Sequence, residues 1–140
     1  MNYLLDTCLI SELVSKQPNQ RVMDWLDAQD SNSLYLSVIT IGEITKGITK
    51  LSTSQRKKAL YIWVDQTLPN RFAGRILGID MQTMLVWGEL VGNLEKQGRP
   101  LPMMDSLIAA IALYNSLSLV TRNEKDFSGS GVAIVNPWVS

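Results

Sequence analysis

Several polar side chains in this 140-residue chain stand where a strand should end or a helix begin. Asp6 follows Tyr3-Leu4-Leu5, Glu43 follows Thr40-Ile41-Gly42, Asp105 follows Pro102, and Asn123 follows Leu119-Val120-Thr121-Arg122. Asp126 is a second candidate from that last loop. Three carboxylates and an amide on one side of a sheet would repel one another without a counter-ion. Their oxygens suit Mg2+ or Mn2+, ions that keep several waters. A divalent ion lowers the pKa of water and offsets charge on a phosphoryl group, so the pattern points to metal-dependent phosphodiester hydrolysis.

The chain contains no histidine and one cysteine. That excludes Ser-His-Asp and Cys-His catalysis, imidazole bases and histidine-ligated zinc. Cys8 alone forms neither an intrachain disulfide nor a thiolate cluster, and it reads as a small half-buried side chain.

Each candidate also has an ordinary structural role. Asp6 is placed to cap a helix beginning near Leu9. Thr40-Ile41-Gly42-Glu43 matches a capping box. Asp105 would interact favourably with a helix dipole, and Asn123 lies in a polar turn. It is the gathering of all four that favours chemistry.

The elements that must position them alternate. Short apolar strands are expected at Tyr3–Leu5, Leu34–Ile39, Ile76–Ile79, Leu117–Thr121 and Val132–Val135. Between them lie helical patterns: one stopped by Gln17-Pro18, one capped by Asn19, and one striped by Ile41, Ile44, Ile48 and Leu51. Further helices run from Ser54 to before Pro69, up to Gly98-Arg99-Pro100, and from Pro102 through the apolar Leu107–Tyr114 stretch. This order predicts one α/β domain over residues 1–140, a doubly wound parallel sheet of four to five strands with helices on both faces. Ligands of such sheets sit beyond the carboxyl ends of the strands, where the winding reverses.

Thirteen basic residues balance thirteen acidic ones, so no global positive field marks a nucleic-acid coat. Neither a signal peptide nor a membrane-length apolar run is expected, which predicts a cytoplasmic protein without a membrane partner.

Tyr3-Leu4-Leu5-Asp6-Thr7-Cys8-Leu9-Ile10-Ser11-Glu12 resembles the opening of PIN-domain ribonucleases of the VapC and FitB toxin type. Similar blocks follow in order: Leu36-Ser37-Val38-Ile39-Thr40-Ile41-Gly42-Glu43, Asp105-Ser106-Leu107-Ile108-Ala109-Ala110, Leu119-Val120-Thr121-Arg122-Asn123 with Asp126-Phe127, and Asn136-Pro137-Trp138. The resemblance implies that Asp6, Glu43 and Asp105 bind Mg2+ or Mn2+, with Asn123 or Asp126 as a fourth position. Many relatives carry aspartate where Asn123 stands. Thr7 and Thr121 would support the site. The resemblance further implies an endoribonuclease toxin that cuts RNA, often structured RNA such as tRNA. It would be held by a cognate antitoxin, bound to operator DNA through that antitoxin, and homodimeric.

On this reading Asp6 and Asp105 hold the ion, and Glu43 is either a ligand or orients the attacking water. Lys46, Lys50 and Arg122 are candidates for gripping flanking phosphates, while Arg56-Lys57-Lys58 reads as plain helix surface. Trp25, Trp63 and Trp87 read as core or partner contacts. Trp87, Leu90 and Leu94 form an apolar edge, distinct from Met84, Leu85 and Val91, that predicts a dimer or antitoxin contact. The rival readings are a nuclease-like binding scaffold acting only with an antitoxin on operator DNA, and a phosphoacceptor receiver domain using Asp80.

Overall fold

The computed structural model describes residues 1–139. Five parallel strands form one sheet in the order β3-β2-β1-β4-β5. They are β1 (Tyr3–Leu5), β2 (Leu34–Ser37), β3 (Ile76–Leu77), β4 (Ser118–Val120) and β5 (Ile134–Val135). Leu4 pairs with Tyr35 on one side and Leu119 on the other, so β1 is central. The chain winds outward through β2 and β3, then returns to β1 and winds the other way, as the alternating pattern requires.

Successive strand residues face opposite sides, and the core divides accordingly. Leu5, Leu34, Leu36 and Val120 pack with α1 (Thr7–Glu12), α2 (Gln20–Asp27) and the stripe of α3 (Val38–Thr49). Leu4 and Leu119 join Ile108, Ile111 and Ala112 of α7 (Met103–Tyr114) on the opposite face, with Leu90 of α6 (Met81–Lys96) against them. α7 is apolar nearly all round because it lies between sheet and α6.

Several boundaries differ from the sequence pattern. Strands two to five are shorter than their apolar runs. Val38 and Ile39 belong to α3, because Ser37 ends β2 and its Oγ accepts from the Thr40 amide at 3.2 Å. Thr40-Ile41-Gly42-Glu43 therefore forms no capping box, and Glu43 is carried into the second turn. Pro69 does not stop its helix either. α4 (Gln55–Ile62) runs through a π turn at Trp63–Thr67 into α5 (Leu68–Arg71). The wider turn absorbs a residue that lacks an N–H and would otherwise crowd the preceding carbonyl. α6 ends at Lys96, with Gly98 at φ +67° just beyond it, where a side chain would be strained.

The apolar edge of α6 is also corrected. Trp87 and Leu90 are half-buried, Leu94 is buried, and Trp87 Nε1 donates to Ser106 Oγ at 2.8 Å. These residues meet α7. The exposed apolar side is Met81, Met84 and Leu85. Trp25 packs edge-on against Tyr3 and Trp63 packs against the first core, as expected of structural tryptophans. Arg56 and Lys57 are more than surface charge: they donate to Val14 O and to Thr49 O and Leu51 O. Among the described residues, no helix is long and apolar enough to cross a membrane.

Candidate active site

The winding reverses at the carboxyl end of β1, between β2 and β4. There the Asp6 amide continues the ladder by donating to Val120 O at 3.0 Å. Its side chain is 4% exposed. Oδ1 accepts from the Thr7 amide at 2.8 Å, capping α1, and Oδ2 accepts from Thr121 Oγ1 at 2.7 Å. The capping role and the site role are thus divided between two oxygens of one carboxylate. A buried carboxylate needs such donors, since water no longer supplies them.

Thr7 points the other way. Its Oγ1 donates to Glu43 Oε1 at 2.6 Å and lies 3.1 Å from Thr40 Oγ1. A hydroxyl has one proton, so Thr7 accepts from Thr40, which in turn accepts from Ser37 Oγ at 3.5 Å. Three hydroxyls therefore direct their protons towards Glu43. Ser37 and Thr40 are positioning residues that composition did not single out. Their signal was the placement of hydroxyls at the end of an otherwise apolar strand.

Asp105 occupies the first turn of α7 and is half-buried. Loss of solvent pushes its carboxyl up to about 6, and the charges of Asp6, Glu43 and Asp126 push in the same direction. Three acids from three separate elements thus act on one position. The turn beneath Asp105 is pinned by Ser106, which accepts from Trp87 and donates to Met103 O at 2.6 Å.

The loop after β4 brings two candidates to different ends. The Asn123 amide donates to Thr121 Oγ1 at 3.1 Å, and Asn123 O accepts from the Asp126 amide at 3.1 Å. Asn123 therefore shapes the loop through its backbone, and its side chain is exposed. Asp126, in the short helix α8 (Glu124–Phe127), is exposed as well, and its charge is the smallest of those that raise the Asp105 carboxyl.

The basic candidates separate as well. Lys46 is exposed on α3 and Lys50 at the cap that follows it, one and two turns beyond Glu43. Arg122 is committed elsewhere: its guanidinium lies 3.8 Å from Glu12 and stacks over Trp138 at 4.8 Å. Cys8 Sγ lies 3.7 Å from both Asp6 Oδ2 and Thr121 Oγ1; burial, then the Asp6 charge, pushes the thiol up. A thiol raised in this way is not poised as a thiolate. Asp80 caps α6, accepting from the Thr83 amide and hydroxyl, which hold its carboxyl below the usual range. It stands beside the edge strand β3, remote from the winding reversal that a receiver would use.

Among the described residues, no three carboxylate or thiol groups converge closely enough to close around one ion as they stand. The donor set is oxygen throughout. It fits a hard divalent ion that takes one or two carboxylates directly and keeps most of its water.

Comparison with known proteins bears on the fold and the family. A family model described as "PIN domain" matches residues 3–129. The chain is 36% identical to Toxin FitB of Neisseria gonorrhoeae over 135 residues, covering 96% of this chain and 97% of that protein. It is 31% identical to VapC ribonuclease Y4jK of Sinorhizobium fredii, with 96% of each covered. The solved structure of FitAB bound to a DNA fragment superposes with a TM-score of 0.91 at 35% identity, over 97% of this chain and 95% of that one.

Proposed function

The chain belongs to the PIN-domain family, and from that premise we propose that it is a metal-dependent endoribonuclease, the toxin of a toxin–antitoxin pair. The observation that carries the reading is the placement of Asp6, Glu43 and Asp105 beyond the strand ends at the winding reversal, where burial first, and then the charges of Asp6, Glu43 and Asp126, raise the Asp105 carboxyl. A divalent cation bound there would offset that repulsion.

Asp6 and Asp105 hold Mg2+ or Mn2+, and Asp126, in preference to Asn123, completes the acidic set. When bound, the ion lowers the pKa of water and offsets charge on the phosphoryl group in the transition state. Thr121 fixes the Asp6 carboxylate. Thr7 holds Glu43 Oε1, which leaves Oε2 to orient water and take its proton. Phosphodiester hydrolysis then needs no imidazole.

Similarity to a protein named Toxin FitB, to one named a ribonuclease, and to FitAB on DNA supports RNA as substrate and a cognate antitoxin as partner. It also supports indirect contact with operator DNA through that antitoxin. Structured RNA such as tRNA is the proposed target, and the chain pairs with a second copy of itself. The reading as a scaffold acting only with an antitoxin rested on a neutral Asn123, and an acidic Asp126 in the same loop is what favours activity.

Purified chain free of any partner should cleave cellular RNA with Mg2+ or Mn2+ and stop with EDTA. Asp6→Asn and Asp105→Asn should each abolish cleavage. Cleavage that persists in both variants would sink the proposal.

A further inference from the structure

The loop that follows β4 is held at its start by Thr121. Its far end is held by a residue that the chemistry above leaves unused. Arg99 stands at the joint between α6 and α7, six residues before Asp105. Its amide donates to Leu94 O at 2.8 Å and closes the end of α6. Its Nη2 donates to Ser128 O at 3.3 Å and to Ser128 Oγ at 3.2 Å. The one proton of that hydroxyl goes to Lys125 O at 2.8 Å. The peptide group between Lys125 and Asp126 is therefore held on both sides, its carbonyl by Ser128 and its amide by Asn123 O at 3.1 Å.

The guanidinium also lies against the bare backbone of Gly129. A Cβ there would stand 2.8 Å from Nη1 and 2.9 Å from Cζ, too close for either atom to stay in place. Gly129 has φ +86°, and Gly131, two residues on, has φ +83° with nothing within 4 Å of a Cβ. Both turns favour glycine, but only Gly129 also leaves room for a side chain from another element. Between Arg99 and α7, Pro100 and Pro102 restrict the backbone, so the joint is stiff on the side that leads to Asp105.

We propose that Arg99 is a positioning residue: through Ser128 it fixes the peptide that carries Asp126 against the joint that leads to Asp105, and so sets the affinity of the acidic set for its divalent ion. The inference rests on the nuclease reading and adds a residue to it. Carboxylates from separate elements hold one ion well only when groups behind them fix their spacing. Arg99 reaches the site through another residue and touches no reacting atom.

The first measurement uses the metal-free chain, with amide hydrogen exchange followed by mass spectrometry. Arg99→Ala should speed exchange across residues 124–130 about fivefold, the upper scale of an exposed charged contact, and leave β1 and α7 unchanged. Mg2+ affinity, read by calorimetry, should weaken by about the same factor. Gly129→Ala displaces the guanidinium and should act likewise, and Arg99→Ala added to it should do no further harm. Gly131→Ala strains the same loop without meeting Arg99, so its effects should add to those of Arg99→Ala. At saturating Mg2+ the Arg99→Ala chain should cleave at the unaltered rate.

Unchanged exchange and Mg2+ affinity in Arg99→Ala would overturn the proposal, as would additive effects of Arg99→Ala and Gly129→Ala. Faster exchange throughout the chain would mark a general loss of stability and overturn it too. A rate still reduced at saturating Mg2+ would make Arg99 a substrate contact instead. If the unaltered chain binds Mg2+ and fails to cut RNA, the nuclease reading fails while exchange and affinity still decide the role of Arg99. If it cuts while Arg99→Ala exchanges and binds normally, only the role of Arg99 fails.

Discussion

Thr121 Oγ1 donates to Asp6 Oδ2 at 2.7 Å, joining the ends of two adjacent strands across 115 residues of chain. The same hydroxyl accepts from the Asn123 amide, so one side chain sets both a carboxylate and the loop that carries Asp126. Thr121→Val keeps the shape and removes the donor. A lost hydrogen bond to a charged group costs about 1.5–3 kcal/mol. Chemical denaturation should show that loss, with cleavage falling at least tenfold, while Thr121→Ser retains most of both. A valine variant of full activity would show that the hydroxyl does not hold Asp6.

Asp105 gives a pH signature. Its carboxyl is raised from 3.8 to about 6 in the folded chain, so the folded state binds this proton more tightly than the unfolded one. Stability from this group is therefore present at low pH, falls as pH rises from about 4 to about 6, and is absent above. Asp105→Asn should stabilise the metal-free chain by about 1 kcal/mol near pH 7.5, a figure discounted for the group's exposure, and by nothing near pH 4. Thermal melts in EDTA at both pH values check this. An equal effect at the two would contradict it.

Ion binding should separate the two loop candidates. At a hundredfold excess over Kd a ligand adds about 2.7 kcal/mol, which for a chain of this size raises Tm by about 8 °C. Mg2+ titration followed by melting should show that rise in the unmodified chain and in Asn123→Ala. It should be much smaller in Asp126→Asn. The opposite ranking would return the fourth position to Asn123.

The two sides of α6 predict different outcomes for charge. Leu85 is 57% exposed, so Leu85→Glu should fold normally and weaken self-association, read by light scattering on a sizing column. Leu90 packs against the second core, and Leu90→Glu should unfold the chain, costing about 2–4 kcal/mol. A folded Leu85→Glu variant that associates unchanged would place the interface elsewhere.

Much of the site was legible because its residues obey local rules. Asp6 closes an apolar strand and caps the next helix, and Asp105 opens an apolar helix after a proline. Both positions follow from neighbours a few residues away. The order of strands and helices was legible for the same reason. What was hidden depends on tertiary partners. The inward side of α6 was decided by α7, since Trp87 has a hydroxyl to meet at Ser106 and Met84 has none. The start of α3 was decided by a serine cap competing with a threonine one. The choice between Asn123 and Asp126 depends on where the short helix α8 carries each side chain relative to another element, and no spacing rule reports that.

The bond between Asp6 and Thr121 also sets a clock. A chain made at about 5–20 residues per second reaches position 121 roughly 6–23 s after position 6. During that interval the first carboxylate exists without the strand that fixes it, and Asp105 and Asp126 arrive only in the last third of synthesis. A site drawn from positions 6, 43, 105 and 121 is therefore incomplete until most of the described residues have been made.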